Sequence, residues 1–469
     1  MKFVHGSNVN EWLHGRGPES SDSLKRTVEK IISDVEKRGD EAVLEAARKF
    51  DAPSITQIEV TKAELDSATV DNHLFESIRF ALKRVQYFHL NQLEVVLSGW
   101  YDSQLSLIPD ILELKLPRRP IDARWAISRE PSRIAGVYPR TREFGIGQRL
   151  VSLERVGVYV PGGRANYPSS VLMNAGPATV AQVPHITVCS PAREDGSLHP
   201  AVLVALRETG VDKTLKVGGA TAIAALALGT ETIQRVDKVV GPGNQYVNEA
   251  KRQLWGRCGF DGYAGPSEVA VLISDQSNYH LAALDILTQI EHAPNNVAFL
   301  VSWNESALYE THALCLELCE KAHNPFGIRE ALAGSYAVLV KDENEAIDVL
   351  NAIAPEHLSV GVQTPDRLLS KIQNAGCVLL GDMTPESAGD YVLGPSHTLP
   401  TGGAARWQSP VNVMDFLKFQ SVSQINQDEI KELAAHIDTL ARAEGFNIHA
   451  LDATERANPL DHLSEVKGC

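Results

Sequence analysis

Three features are scarce in this 469-residue chain, and each scarcity argues against a class of protein. The six cysteines are scattered without a C-x-x-C pair, so neither a disulfide framework nor a thiolate zinc site is predicted. No run of about 18 uninterrupted apolar residues occurs, and the N-terminus lacks the apolar core of a signal peptide. We therefore expect a soluble protein of a reducing compartment, with a cytoplasmic location.

Basic residues are too few for a protein that binds polyanions. Lys and Arg number 44 against 59 Asp and Glu, which gives a formal net charge of −15. Nucleic acids and anionic membrane surfaces both require a basic footprint, so we expect neither as a partner. Charged residues at 22% and hydrophobic residues at 43% are typical of a globular protein. A small-molecule substrate is the better expectation.

From Val156 onward, apolar runs alternate with helical patterns. The runs VGVYV, HITVC, LKVGG and VDKVVG are each followed by a turn and a helical pattern, and a second series comprises EVAVLIS, NVAFLVS, YAVLVK and GCVLLG. This alternation predicts α/β structure with two doubly wound, mostly parallel sheets. Earlier helical patterns cover 21–50, with a break at Gly39, and run from Asp71 to about Leu93.

A nucleotide site is not marked by the usual fingerprint. G-x-G-x-x-G is absent, because Gly145 and Gly147 lack the third glycine. A nucleotide would have to bind at strand-to-helix turns such as 161–163, 218–219 and 241–244, whose bare amides face helix starts. Taken alone, these turns are better explained as ordinary strand-to-helix connections.

Two candidate metal ligands lie in the segment LAALDILTQIEHAP. Its apolar residues recur at helical spacing until Pro294 stops the helix, which places Gln289 and His292 at i and i+3 on one face. Two neutral ligands three residues apart can bind one metal ion. A buried histidine hydrogen-bonded to its neighbours is the open alternative.

The segment APEHLSVGV offers two proton carriers side by side. Glu356 and His357 directly follow a helix ending at Pro355 and begin an alternating strand. An adjacent acid and imidazole can carry separate protons, since one ionises while the other accepts a proton near neutral pH. A surface Pro-Glu helix cap is the alternative.

Two further segments carry titratable side chains. GDYVLGPSHTLPTGGAAR is rich in glycine and proline yet contains Asp390, His397 and Arg406, and loops of this kind on a rigid sheet commonly contact ligands. A plain solvated loop is the alternative. In EGFNIHA, Glu444 and His449 are five positions apart, so they share a face only if the chain bends between them.

These pieces, in this order, resemble the histidinol dehydrogenase family. The resemblance rests on ERVGVYVPGGRANYPSSVLMNA, VDKVVGPGNQYVNEAKRQL, AGPSEVAVL, QIEH, APEHL, GDYVLGPSHTLPTGGAAR and EGFNIHA. It covers nearly everything from Val151 to the end and, more loosely, the helices before residue 90. Seven ordered motifs identify a family far more specifically than any one of them does.

The resemblance implies a zinc site and two bases. Zinc, one ion per subunit, would be held by Gln289, His292 and Asp390, with His449 supplied by the other subunit of a dimer that shares its active sites. His357 resembles the base that removes the alcohol proton, and Glu356 resembles the base that activates water on the aldehyde. Substrate would contact the four metal-binding residues and His357. It would also contact Ser267, His397 and Glu444.

The resemblance also implies the reaction and its cofactor. Members of the family oxidise L-histidinol through L-histidinal to L-histidine, in histidine biosynthesis, with NAD as oxidant. The matching NAD positions are Tyr159, Asn244 and Thr221, the last where the family usually shows glutamine. Two alternatives stay open: a relative that oxidises another polar alcohol, such as a sulfonated diol, and a catalytically inactive nucleotide-binding relative.

The implied architecture has four parts. An N-terminal segment covers 1–20, a first Rossmann-like α/β domain covers 21–158 and 267–410, a second, NAD-binding one covers 159–266, and a helical dimerisation domain covers 411–469. Between Phe88 and Gly147 this chain has about 35–40 more residues than the family, so we expect an insertion near 95–135 that removes no site residue.

Overall fold

The computed structural model describes residues 1–13, 21–98, 145–163, 165–262, 265–322 and 327–458. Within these residues the chain forms two compact units, one of residues 1–93 and 152–416 and one of residues 94–98, 145–151 and 417–458. From residue 99 onward, the predicted insertion near 95–135 lies outside the described residues.

The part of the chain before the first sheet motif is mainly helical. Its elements, in order, are β1 (Lys2–His5), α1 (Val9–Trp12), α2 (Asp22–Arg38), α3 (Asp40–Phe50), α4 (Lys62–Ser67), α5 (Asn72–Ser98) and β2 (Gly145–Ser152). The predicted break at Gly39 is confirmed, since this residue has φ +52° and separates α2 from α3.

A parallel five-stranded sheet and its connecting helices follow. The elements, in chain order, are β3 (Arg155–Tyr159), α6 (Pro168–Val180), β4 (His185–Ser190), α7 (Pro200–Thr209), β5 (Lys213–Lys216), α8 (Gly219–Leu228), β6 (Lys238–Val240), α9 (Gln245–Leu254) and β7 (Gly259–Phe260). The strand order is β5-β4-β3-β6-β7. Helices α2 and α3 bury Val28, Val35 and Val43 in the core formed by α8 and α9.

A six-stranded parallel sheet, which includes β1, follows with its connecting helices. After β1 its elements are, in chain order, β8 (Glu268–Leu272), α10 (Tyr279–Ile290), β9 (Val297–Ser302), α11 (Glu305–Lys321), α12 (Ile328–Gly334), β10 (Tyr336–Leu339), α13 (Glu343–Ile353), β11 (His357–Val360), α14 (Asp366–Leu369), β12 (Cys377–Leu380) and α15 (Glu386–Tyr391). The order is β1-β10-β9-β8-β11-β12. Apart from β1, both sheets follow one order, which reverses between β3 and β6 and between β8 and β11.

The second unit contains β13 (Leu417–Gln424), α16 (Gln427–Ala443) and α17 (Asn447–Ala457). Strand β13, which pairs with β2, was not anticipated in a tail predicted to be mostly helical. The bend expected between Glu444 and His449 is confirmed, because Gly445 at φ +84° separates α16 from α17. Over the described ranges, no helix has the length and apolar character needed to span a bilayer.

The α/β class with parallel sheets is confirmed, and each predicted strand run after Val156 forms a strand. The division into four domains stays a prediction. Strand β3 crosses the predicted boundary between the first and second α/β domains, which falls between residues 158 and 159. Strand β1 pairs with β10 at the edge of the six-stranded sheet, although residues 1–20 were predicted as a separate segment. Strand β1 was not predicted, because its four residues are too few to give a recognisable alternation of apolar and polar positions.

Candidate active site

A buried polar cluster lies at the amino-terminal edge of the six-stranded sheet. Glu268 begins β8, and His357 begins β11 directly after Glu356. In a parallel sheet the amino ends of neighbouring strands meet at one edge, and Val269 pairs with His357 in register. Gln289, next to the end of α10, and Asp390, in α15, complete the group.

Gln289 and Glu356 form the centre of the cluster. Gln289 Nε2 donates to Glu356 Oε2 at 2.9 Å, and the backbone N–H of Glu268 donates to the same oxygen at 2.9 Å. The other amide atom, Gln289 Oε1, is buried and has no hydrogen-bond partner among the described residues. Asn296 links the end of α10 to the residue before β8. Its Nδ2 donates to the backbone oxygen of Gln289, and its Oδ1 accepts the N–H of Ser267, each at 3.1 Å.

His357 lies between two carboxyl groups of α15. Its Nδ1 is 3.6 Å from Glu386 Oε1, and its Nε2 is 3.7 Å from Asp390 Oδ1. The two acids are four residues apart, so one helical turn separates them and they share a face. Their side chains are 0% and 13% exposed, which makes this a site shielded from water.

Burial dominates the electrostatics of the cluster. It raises the pKa of Asp390 to about 7. Burial, with nearby carboxylate charge, also holds the pKa of Glu356 and of Glu386 well above the usual range. Burial lowers the pKa of His357 to about 3, helped by the charges of neighbouring histidines. A cation bound beside these carboxyl groups would favour their ionised forms, because it would offset the cost of burying their negative charge.

His397 connects this cluster to the five-stranded sheet. Its Nδ1 is 3.0 Å from the backbone oxygen of Asp390, and its Nε2 is 3.3 Å from Ser170 Oγ, in the first turn of α6. Burial lowers the pKa of His397 to about 4. Because α6 follows the carboxyl end of β3, the polar cluster lies near the carboxyl edge of the five-stranded sheet, the edge at which α/β sheets commonly bind ligands.

That carboxyl edge holds the predicted cofactor residues. Tyr159 ends β3, and its hydroxyl oxygen accepts the N–H of Gly219 at 3.1 Å. Asn244 caps α9 by accepting two of its backbone amides at 3.0 and 3.2 Å, while Thr221 is buried in the first turn of α8. At Gly241 φ is +116°, and a Cβ would lie 2.1 Å from Tyr159 O, so the close approach of β3 and β6 requires glycine.

Comparison with known proteins gives one consistent result. The family model for histidinol dehydrogenase matches residues 15–105 and 128–457. The histidinol dehydrogenase of Bacillus subtilis is 39% identical over 442 residues, which cover 93% of this chain and 94% of that protein. That of Geobacter metallireducens is 38% identical over 470 residues, covering 97% and 98%. The chain belongs to the histidinol dehydrogenase family.

The crystal structure of the histidinol dehydrogenase from Elizabethkingia anophelis agrees with this assignment. It matches with a TM-score of 0.84 at 28% identity and covers 100% of this chain and 99% of that one. Like the histidinol dehydrogenase family as a whole, the chain is therefore an oxidoreductase with an α/β fold. Residues 106–127, which the family model leaves unmatched, fall within the predicted insertion.

The structure brings together many of the residues that the resemblance to the histidinol dehydrogenases singled out. Gln289, Glu356, His357, Asp390 and His397 lie in the cluster, and Ser267 adjoins it through Asn296. His292 lies two residues beyond the end of α10, with an exposed side chain, rather than on the helix as expected. Glu444 and His449 lie exposed in the second unit. Arg406 lies outside the cluster and donates to the backbone oxygen of Ala352.

The proposed zinc ligands do not include three His, Cys, Asp or Glu side chains that lie together among the described residues of this chain. Among the described residues, no group of three His, Cys, Asp or Glu side chains is placed to hold an ion. The set expected from the histidinol dehydrogenase resemblance differs in composition, because it includes an amide and a histidine from a second chain. It therefore stays a prediction.

Sequence reasoning missed Glu386, Glu268 and Asn296. A signal for Glu386 was present, because TPESAGD places it four residues before Asp390 and so on the same helical face. Glu268 and Asn296 gave no comparable signal. Glu268 is 88 residues from its partner Glu356, and Asn296 is 29 residues from its partner Ser267. Each pair meets only because β8 lies between β11 and β9 in the sheet.

Proposed function

We propose that this protein oxidises L-histidinol through L-histidinal to L-histidine, with NAD as oxidant and one zinc ion per subunit of a homodimer. The observation that supports this best is the buried carbonyl oxygen of Gln289, which has no hydrogen-bond partner in the described part of the chain. It lies in a cluster that also holds Glu356, His357 and Asp390.

The donor set fits zinc. A buried polar oxygen without a partner is costly, and metal coordination would satisfy Gln289 Oε1 while Nε2 keeps its bond to Glu356. Asp390 supplies a carboxylate whose pKa burial raises to about 7, so a cation would favour its ionised form. His292, and His449 of a second subunit, would complete an oxygen and nitrogen set. Zinc bound there would fix the imidazole and amino nitrogens of histidinol.

Proton transfer falls to two adjacent residues. His357 is neutral at pH 7, because burial lowers its pKa to about 3, so its imidazole is free to accept the alcohol proton. Glu356 would take the proton of a water that attacks the aldehyde; burial raises the pKa of its carboxyl group, and a cation bound beside it would favour the ionised form that this role requires. Because both side chains are buried, bulk water has little access to the aldehyde between the two oxidations.

The five-stranded sheet fits NAD. Tyr159 and Asn244 flank the point where the strand order reverses, which is where α/β sheets bind nucleotides. At Gly163 and Gly219 the backbone has positive φ, and nothing lies within 4 Å of the position of an added Cβ, so these turns leave room for a phosphate to approach. Thr221 is the weakest of the three proposed contacts, because it is buried.

The second unit supports the dimer. Four large apolar side chains on or beside α16 and α17 are exposed: Leu440 by 66%, Phe446 by 53%, Ile448 by 75% and Leu451 by 46%. A cluster of this kind commonly marks a protein interface. Since His449 lies in the same stretch, docking on a second copy would carry Glu444 and His449 to the partner's active site.

Steady-state NADH formation tests the proposed substrate. With zinc present, L-histidinol should be oxidised, whereas dihydroxypropanesulfonate should be a poor substrate, because the cluster of Gln289, Glu356, His357, Asp390 and His397 contains no lysine or arginine to pair with a sulfonate. Preferential oxidation of the sulfonate would replace the substrate assignment. No NADH with either would favour an inactive relative.

A further inference from the structure

The carboxyl group of Glu386 is a buried acid of the cluster to which the proposed function gives no role. Its side chain is 0% exposed and, within the described residues, neither carboxyl oxygen has a hydrogen-bond partner. The backbone is anchored, since Glu386 begins α15 and its N–H donates to Asp285 Oδ1 at 3.4 Å. An unsatisfied carboxyl group is costly in a protein interior, so its presence calls for an explanation.

His357 faces this carboxyl group. Glu386 Oε1 lies 3.6 Å from His357 Nδ1, and this nitrogen is also buried without a hydrogen-bond partner in the described part of the chain. The separation is only a few tenths of an ångström too long for a hydrogen bond. Catalytic hydrogen bonds are commonly long in the free protein and shorten when substrate binds. An imidazole N–H and a carboxyl oxygen would satisfy each other here.

The other ring nitrogen of His357 faces the proposed substrate side. Its Nε2 is 3.7 Å from Asp390 Oδ1, one helical turn beyond Glu386 on α15. A neutral imidazole has one N–H, so a hydrogen bond from Nδ1 to Glu386 leaves the lone pair on Nε2. Only that tautomer can take a proton from the side of Asp390.

We propose that Glu386 is a positioning residue that accepts the Nδ1–H of His357 and so fixes the tautomer whose Nε2 takes the substrate proton. When Nε2 accepts the hydroxyl proton, the ring becomes an imidazolium whose Nδ1–H still points at Glu386. Glu386 touches neither substrate nor cofactor and acts through the orientation of His357. The proposal rests on the proposed function, which makes His357 the base.

The position of the ring proton is directly measurable. Nitrogen NMR of the zinc-loaded full-length protein with 15N-labelled histidine reports it, and the His357 signal is identified by its loss in His357→Asn. Nδ1–H is expected in the wild type and in Glu386→Gln, whose amide oxygen still accepts. In Glu386→Met, which keeps the volume without an acceptor, the proton should shift towards Nε2.

Kinetics provide a second readout. In Glu386→Met, kcat with L-histidinol should fall by about 10²–10⁴, with KM changed only a few-fold, because the base is misoriented while substrate contacts remain. Glu386→Gln should recover most of that loss. Glu320→Met is the matched control, since it removes an exposed glutamate from the same sheet's helices and should leave kcat unchanged.

The role of Glu386 would be overturned by a wild-type His357 with its proton on Nε2, or by an unchanged tautomer in Glu386→Met. If Glu386→Met does not fold, the wild-type tautomer and Glu386→Gln still decide. A folded Glu386→Gln that keeps Nδ1–H but loses as much kcat as His357→Asn would also overturn it. If the wild-type protein oxidises histidinol but His357 carries its proton on Nε2, only the role of Glu386 is wrong. If the wild-type protein does not oxidise histidinol, the proposed function itself is wrong.

Discussion

Gln289 donates its amide N–H to the carboxylate of Glu356 at 2.9 Å and keeps its carbonyl oxygen buried without a hydrogen-bond partner among the described residues. One side chain thus holds the proposed water-activating base and presents a free ligand atom. The arrangement would couple the proposed metal binding to the placement of Glu356, because both would depend on the same amide group.

The metal is the first prediction. The purified protein should contain about one zinc ion per chain, and removing it should abolish turnover until zinc is restored. Gln289→Leu should weaken zinc binding by more than the roughly 10–100-fold typical of losing an outer partner. Metal analysis after dialysis measures this, with the exposed Gln373→Leu as control. Full activity of metal-free protein would contradict the assignment.

Assembly is the second prediction. If His449 serves the neighbouring site, His449→Ala and His292→Ala should each be inactive, but a mixture should regain activity through hybrid dimers. Both substitutions then fall in one site and leave the other intact. The measurement is NADH formation after subunit exchange. Absence of complementation despite proven exchange would place His449 in its own chain's site.

The third prediction concerns pH and stability at the carboxyl edge. Burial raises the pKa of Asp51 from 3.8 to about 6, although the N–H of Gly218 donates to it. The folded state therefore favours the neutral acid, and this stabilisation is complete below pH 3.8 and lost as the pH rises through about 6. Asp51→Asn should raise Tm at pH 8 and give a much smaller gain at pH 4.

Thermal unfolding at both pH values measures that difference. The exposed Asp66→Asn is the control, because it removes the same charge at the surface and should change Tm little. An Asp51→Asn variant less stable than wild type at pH 8 would show that this carboxylate is stabilised by its surroundings instead.

The fourth prediction separates the neighbouring bases Glu356 and His357. His357→Asn should slow both oxidations, because the aldehyde hydrate also has an alcohol-like proton to lose. Glu356→Gln should depress the aldehyde step more than the alcohol step, by a factor of about 10²–10⁴ for a lost general base. Two assays are needed, one from histidinol with the aldehyde trapped and one from the aldehyde. Equal losses in both for Glu356→Gln would falsify the division of roles.

Local patterns predicted the elements well, whereas the site depended on long-range pairing. The runs after Val156 formed strands because continuous apolar residues suit parallel strands buried on both faces. Gln289 and Asp390 were found through the family motifs. Glu268 was not, because it has no sequence signal and reaches Glu356 only through the register of β8 and β11. The strand Leu417–Gln424 was missed in a tail dominated by helical periodicity.

The number of electrons removed from one substrate molecule tests the proposed reaction most directly. With zinc, excess NAD and a limiting amount of L-histidinol, the protein should form two NADH per histidinol and release L-histidine, because Glu356 and His357, the proposed water-activating and proton-accepting groups, lie in one buried site. One NADH per histidinol with accumulation of the aldehyde, or no NADH at all, would contradict it.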